Sequence, residues 1–477
     1  MRRLFPVLLL TLSCAAQQIA SAHGSQQVMP NTHTAYTLTV TAASGPQPAT
    51  SQVTEGIQQI QHVVVIFQEN RTPDNLFHDP KLIANGADIA SSGIDSKGQH
   101  IPLTPVGLDN GYDINHGHHS FELMYDGGKM DGANLLPETC GKGKHCPVDG
   151  QFRYVNASDV APYFLMAEQY TFADRMFQTN QGTSFPAHQF ILSGTSAPTA
   201  TSDLFAAEDV VGFLHANWHT GCAGSRKASV RLINPEGKET QWIFPCFEHP
   251  TLTDLLDDQK VSWRYYATSR TGLWTAPNAI HHIRFGPDWA NVIFPQTRML
   301  SDIAKGRLAS VSWVTPSGQA SDHPWENAGL GPSWVASIVN AIGKSQYWNS
   351  TAIFITWDDW GGWYDHVPPP QVLVDCEQWG CGYVYGFRVP LIVVSPYAKP
   401  SYISHVNHDF GSILKFTEEV FNLPSLGYAD AFADDLSDCF NFNQEPTSFR
   451  KIPAPHDANY FLNDRTPPRP ADNDDDE

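Results

Sequence analysis

The sequence predicts an α/β fold: a three-layer α/β/α sandwich around a mostly parallel central sheet, elaborated by loop and cap insertions. Three observations lead there. Continuous apolar runs of strand length occur at His62–Gln68 and at residues 309–314, 352–357 and 389–395, the pattern of strands buried on both faces. Helix-length segments lie between them at residues 161–177, 334–341 and 411–421, and such alternation builds parallel sheets covered by helices. The 477 residues include 35 Gly and 35 Pro but only 16% charged residues, which excludes a coiled coil or a highly charged disordered chain.

Taken in order, the chain opens with a targeting segment over residues 1–22. Arg2 and Arg3 precede an apolar stretch at 4–12 and a small-residue cleavage site at Ala20-Ser21-Ala22, so the protein is expected to be exported, periplasmic or secreted. Residues 23–57 read as an extended leader, and 58–463 as one domain with a cap or insertion at about 200–260. Residues 464–477 read as a disordered acidic tail. No later run is long enough for a transmembrane segment. The 29 basic against 49 acidic residues, a net charge of −20, argue against nucleic-acid binding. Export favours disulfides, and the spacings suggest Cys140/Cys146, Cys376/Cys381 and Cys222/Cys246, leaving Cys439 free.

Ligands of parallel α/β sheets bind beyond the carboxyl ends of the strands. The first apolar strand runs into Glu69-Asn70-Arg71, and the run at 352–357 into Asp358-Asp359. Adjacent carboxylates after buried strands repel unless a cation or proton relieves them, so Glu69, Asn70, Asp358 and Asp359 form a candidate oxygen-rich cage for one divalent metal ion. Ca, Mg, Mn, Fe and Zn all remain open. Ser184 precedes the apolar helical stretch at 190–192. It reads either as a helix N-cap or as a nucleophile beside a phosphate held by the helix N-terminus. His116, His281, His282 and His323 fall in loop-like segments, where they could bind phosphate oxygens or protonate a leaving group.

Glu69-Asn70-Arg71-Thr72-Pro73-Asp74, Gly127-Gly128-Lys129-Met130-Asp131-Gly132 and Thr356-Trp357-Asp358-Asp359-Trp360-Gly361-Gly362 resemble blocks of one bacterial family. It unites phosphatidylcholine-type phospholipases C with secreted acid phosphatases and lies within the alkaline-phosphatase-like superfamily. The resemblance continues through Arg388-Val389-Pro390 and Ser404-His405, spanning about residues 60–425. It implies metal ligation by Glu69, Asn70, Asp358, Asp359 and Ser184, with Ser184 as nucleophile. It places His116 at an active-site histidine, and His281, His282 and His323 at histidine positions of the acid phosphatase branch.

Ser184 and His188 stand where many phospholipases carry Thr and Arg, so the expectation leans to acid phosphatase chemistry through a phosphoseryl intermediate. A phospholipase C releasing a phosphorylated headgroup is the alternative, and a non-catalytic metal- or phosphate-binding protein the third reading. Ser184-x-Pro186 also resembles the sulfatase motif, but His188 replaces its arginine. The expected partners are a phosphate monoester or a phospholipid headgroup, with transient membrane-surface contact in the second case. Oligomeric state is left open.

Overall fold

The computed structural model describes residues 56–469 apart from 142–144, 213–218, 326 and 374, plus a short pairing of Ala20–Ser21 with Gly24–Ser25. The chain divides into residues 1–48 and 49–477, and the elements below belong to the second unit. The rest of the expected signal segment, the leader up to residue 55 and tail residues 470–477 lie outside the described residues.

A nine-stranded sheet organises the domain. Its strands are β1 (His62–Gln68), β2 (Thr171–Phe177), β3 (Trp263–Tyr266), β4 (Val292–Ile293), β5 (Val311–Val314), β6 (Thr351–Trp357), β7 (Arg388–Val394), β8 (Tyr402–Ser404) and β9 (His408–Asp409). The spatial order is β4-β3-β5-β1-β6-β7-β2-β8, with β9 also pairing β2. Only β7 runs against its neighbours; every other pairing in the sheet is parallel. This is the mostly parallel sheet that the sequence predicts.

The reason lies in the strands themselves. Val63 to Phe67 of β1 and every residue of β6 are buried, so both faces need cover. Full burial of an aliphatic or aromatic side chain contributes about 1.5–3 kcal/mol, and β1 and β6 supply many. Helices α1 (Ala157–Gln169) and α3 (Gly331–Gly343) pack on each other, and α2 (Ser184–Ser193) packs on α4 (Phe410–Phe421).

One expectation is corrected. The single helix predicted over residues 161–177 is α1 followed directly by β2. Phe172, Ala173, Met176 and Phe177 fit a helical spacing as well as a strand, but β7 and β8 flank this segment and take its backbone hydrogen bonds. Tertiary pairing overrides local periodicity here. The short strands β3, β4, β8 and β9 carry too few residues for periodicity to reveal them.

Residues 205–243 add a three-stranded antiparallel sheet of Phe205–Ala206, Val230–Ile233 and Glu239–Ile243. Disulfides join Cys140 to Cys146, Cys222 to Cys246 and Cys376 to Cys381, and Cys439 is a buried free thiol. No helix among the described residues is long and apolar enough to cross a membrane.

Candidate active site

Strands β1 and β6 are parallel neighbours, with Gln68 opposite Trp357. The residues that follow them therefore leave the sheet side by side. Asp358 donates its N–H to the Gln68 carbonyl and accepts the Asn70 N–H on Oδ1, at 3.1 Å in each case. Arg71 N–H reaches the Asp359 carbonyl at 2.9 Å. Asn70 adopts a left-handed φ of 63°, which Asn tolerates better than most residues. Gly361, at φ 62°, passes so close that a Cβ there would meet the Asn70 carbonyl oxygen at 2.3 Å. The two loops are thus stitched through backbone groups.

Helix α2 brings the third component. Ser184 is its first residue, and the N-cap position belongs to Thr183, which makes no side-chain capping bond. Ser184 Oγ instead donates to Asp359 Oδ2 at 3.1 Å. Phe185 N–H donates to Asp209 Oδ1 at 2.7 Å. His118 Nδ1–H donates to the Gln181 carbonyl at 2.9 Å, bracing the loop before Ser184.

One turn into α2 lies His188, absent from the candidate residues. Its Nε2 is 3.5 Å from Glu69 Oε1 and 3.6 Å from Asp358 Oδ2. Residues four apart share a helix face, so a Ser184 facing the strand ends brings His188 with it. That spacing was the available signal. Glu69, His188 and Asp358 each offer a ligand atom within 4.8 Å of the others.

The polar chemistry of this cluster fits a cation. Both Glu69 oxygens, Asn70 Oδ1, Asp358 Oδ2 and both His188 ring nitrogens are buried without a hydrogen-bond partner. Burial first, then the charge of Asp358, pushes the Glu69 carboxyl well above its usual range. Burial lowers His188 to about 4, keeping the imidazole neutral and able to ligate. A divalent cation would satisfy the carboxylate and amide oxygens together with His188 Nε2, the ring nitrogen that faces them.

His116 and His323 border the cluster. His116 Nδ1–H donates to the Ile114 carbonyl at 2.8 Å, and its Nε2 accepts from Asn70 Nδ2, also at 2.8 Å. A carbonyl can only accept, so these contacts select the neutral Nδ1–H tautomer. His116 Nε2 also lies 3.7 Å from Asp359 Oδ1. The rings of His116 and His323 are 6.2 Å apart, and His323 donates from Nδ1 to the Pro324 carbonyl at 2.6 Å. Buried Arg71 holds the segment before His323 through a 2.8 Å bond from Nε to the Asp322 carbonyl.

His281 and His282 go elsewhere. His282 sits 2.7 Å from Glu248 and 3.2 Å from Asp254, and His281 3.6 Å from Glu248. The His281 side chain is 61% exposed. The hydrogen bond to Asp254 leads the effects that raise His282 to about 9. These acids capture both rings, His281 exposed and His282 half-buried, and the structure does not bring them to the Ser184 cluster. Glu69, Asn70, Ser184, Asp358, Asp359, His116 and His323 it does bring together.

A buried ionic layer supports the β6 loop. Arg388 of β7 pairs with Asp365 at 2.9 Å and Asp74 at 3.2 Å, and donates to the carbonyls of Asp88 and Asp174. His366 lies 2.7 Å from Asp74. This layer is saturated with its own cations.

The chain is 24% identical over 464 residues to phospholipase C A of Mycobacterium tuberculosis, covering 86% of this chain and 81% of that protein. It is 23% identical over 460 residues to the non-hemolytic phospholipase C of Burkholderia pseudomallei, covering 84% and 63%. Among solved structures, a protein of the alkaline phosphatase superfamily from Vibrio parahaemolyticus matches with 10% identity and a TM-score of 0.35, over 78% of this chain and 70% of that one. The model of the Phosphoesterase family matches residues 60–424, most of the described domain, and the chain belongs to that family.

Proposed function

We propose that this hydrolase of phosphoric ester bonds cleaves a phospholipid-type phosphodiester, releasing the phosphorylated headgroup through a phosphoseryl intermediate on Ser184. The observation that carries the reading is Ser184 Oγ at the start of α2, hydrogen-bonded to Asp359 beside the buried Glu69–His188–Asp358 cluster. The acid phosphatase leaning rested on Ser184 and His188. Its alternative is favoured here because relatives aligned over most of the chain are named phospholipases C.

Asp359 orients the serine hydroxyl and takes its proton as Oγ attacks phosphorus. Asp359 is held for this by the Gly361 N–H at 2.8 Å. The N-terminal end of α2 favours negative charge on the phosphoryl oxygens. His323, which donates from Nδ1 to the Pro324 carbonyl, acts as the imidazolium: it gives its second proton to the leaving oxygen and takes one back from the attacking water. Water then cleaves the phosphoserine. A divalent cation held by Glu69, Asn70, Asp358 and His188 would supply Lewis-acid polarisation of the hydroxyl and the phosphoryl oxygens. The imidazole among these ligands moves the expectation from Ca or Mg toward a transition metal. Export to the periplasm or medium, inferred from the N-terminal segment, would give such an enzyme access to lipid surfaces.

The test uses phosphatidylcholine vesicles and, separately, a soluble monoester, p-nitrophenyl phosphate. Diacylglycerol release faster than monoester hydrolysis is expected, and both should vanish in Ser184→Ala with the fold intact. Turnover of only the soluble monoester would reject the phospholipid reading. Full activity of Ser184→Ala would reject the nucleophile.

A further inference from the structure

A second ligand cluster sits at the outer edge of the sheet, separated from β6 by β7 and β2. His408 of β9 pairs with Met176 of β2, and the turn Ser437–Cys439 closes over it. His408 Nε2 is 3.4 Å from Asp438 Oδ1 and 3.9 Å from Cys439 Sγ, and Sγ is 3.6 Å from the same Oδ1. His408 and Cys439 are fully buried. A tetrahedral ion with metal–N and metal–O bonds near 2.0 Å and a metal–S bond near 2.3 Å holds such atoms about 3.3–3.6 Å apart. All three edges lie close to that range.

The other ring nitrogen strengthens the case. His408 Nδ1 lies 2.8 Å from Asp434 Oδ1, so a carboxylate on one side aims Nε2 at Cys439 and Asp438 on the other. Carboxylate–imidazole–metal arrangements orient ligating histidines in this way. Ser404 Oγ lies 3.0 Å from Nε2 and donates to the Asp438 carboxylate, tying the two ligands together. The acidic group Asp74–Asp365–His366 differs, because Arg388 already neutralises it.

We propose that His408, Asp438 and Cys439 form a structural site for a borderline-soft divalent cation of the zinc class, with Asp434 as the orienting carboxylate. Thiolate, imidazole and carboxylate together suit zinc better than calcium or magnesium. The site staples the C-terminal segment to the sheet edge, where the Cys439 carbonyl already accepts from Lys399 N–H at 2.9 Å and Thr171 Oγ1 at 3.1 Å. It stands apart from the Ser184 cluster and does not depend on the function proposed for it.

The test is a cobalt titration of the chelator-stripped full chain, with cobalt as a visible stand-in for zinc. Wild type should develop a near-ultraviolet thiolate-to-cobalt charge-transfer band that saturates within two equivalents per chain, one for each cation site. Cys439→Ser should lose the band and hold one zinc fewer per chain. Asp434→Asn should weaken the midpoint of the band about 10- to 100-fold. Absence of the band in wild type at saturating cobalt overturns the proposal, and so does its survival in Cys439→Ser. An unchanged midpoint in Asp434→Asn overturns the orienting role. The wild-type spectrum decides alone if the serine variant fails to fold.

Discussion

Replacing Glu69 by Gln should stabilise the metal-free protein and abolish its stabilisation by metal. Glu69 and Asp358 are fully buried and offer ligand oxygens within 4.8 Å of one another. At 4.8 Å and an effective dielectric of ~20, two unit charges repel by about 3.5 kcal/mol. Without metal the wild type relieves this by binding a proton, because burial and then Asp358 raise the Glu69 pKa. A folded-state pKa above the unfolded one gives stability that is complete below the unfolded value and lost as pH rises through the folded one. Chelator-treated wild type should therefore weaken as pH is raised above the ordinary carboxylate range and through the elevated Glu69 value. Glu69→Gln removes that slope and should be the more stable protein at the upper end, by up to about 3 kcal/mol. Metal at this site closes most of that gap: at a hundredfold excess over Kd, wild type gains about 2.7 kcal/mol and the variant little. Urea denaturation across this pH range, with and without chelator, measures both effects. If the chelator-treated variant is no more stable than wild type at pH 8, or both proteins gain equally from metal, Glu69 does not face Asp358 as a ligand.

Other outcomes follow from the same contacts. His188→Gln should lower metal occupancy at limiting metal and lower turnover with it, read by metal analysis beside vesicle hydrolysis; full occupancy would remove His188 from the ligand set. Arg388→Met leaves buried Asp365 and Asp74 without their guanidinium and should cost about 3–5 kcal/mol in urea denaturation. The Asp74 hydrogen bond and charge overcome burial to raise His366 from 6.5 to about 9. Its stabilisation is present below the lower value and lost as pH rises through the higher, so His366→Gln should flatten the decline in urea midpoint across that window.

Legibility in the sequence tracks how local each determinant is. Val63 to Phe67 and the run before Asp358 announce buried strands because every residue but Thr356 is apolar. Parallel strands end on one side, so Glu69, Asn70, Asp358 and Asp359 could be grouped before any coordinates. Residues 171–177 were not legible as a strand, because their apolar spacing fits both periods and the deciding partners, β7 and β8, are distant in sequence. His188 was hidden for another reason: it was weighed as a replaced motif residue rather than as the next turn of a helix beginning at Ser184. His281 and His282 carried no sign that Glu248 and Asp254 would hold them at the surface. Side-chain partners set these roles, and partner choice is tertiary.

The adjacency of β1 and β6 also constrains the order of assembly. Asn70 and Asp358, joined by a hydrogen bond, stand 288 positions apart. A nascent chain carries the first ligands through most of synthesis before the second pair exists. Until then β1 presents an apolar edge with no β6 to cover it, a form prone to mispairing with other chains. The slow step in folding should be the long-range closure of β6 onto β1, and chains ending before Asp358 should capture no metal at the Ser184 cluster.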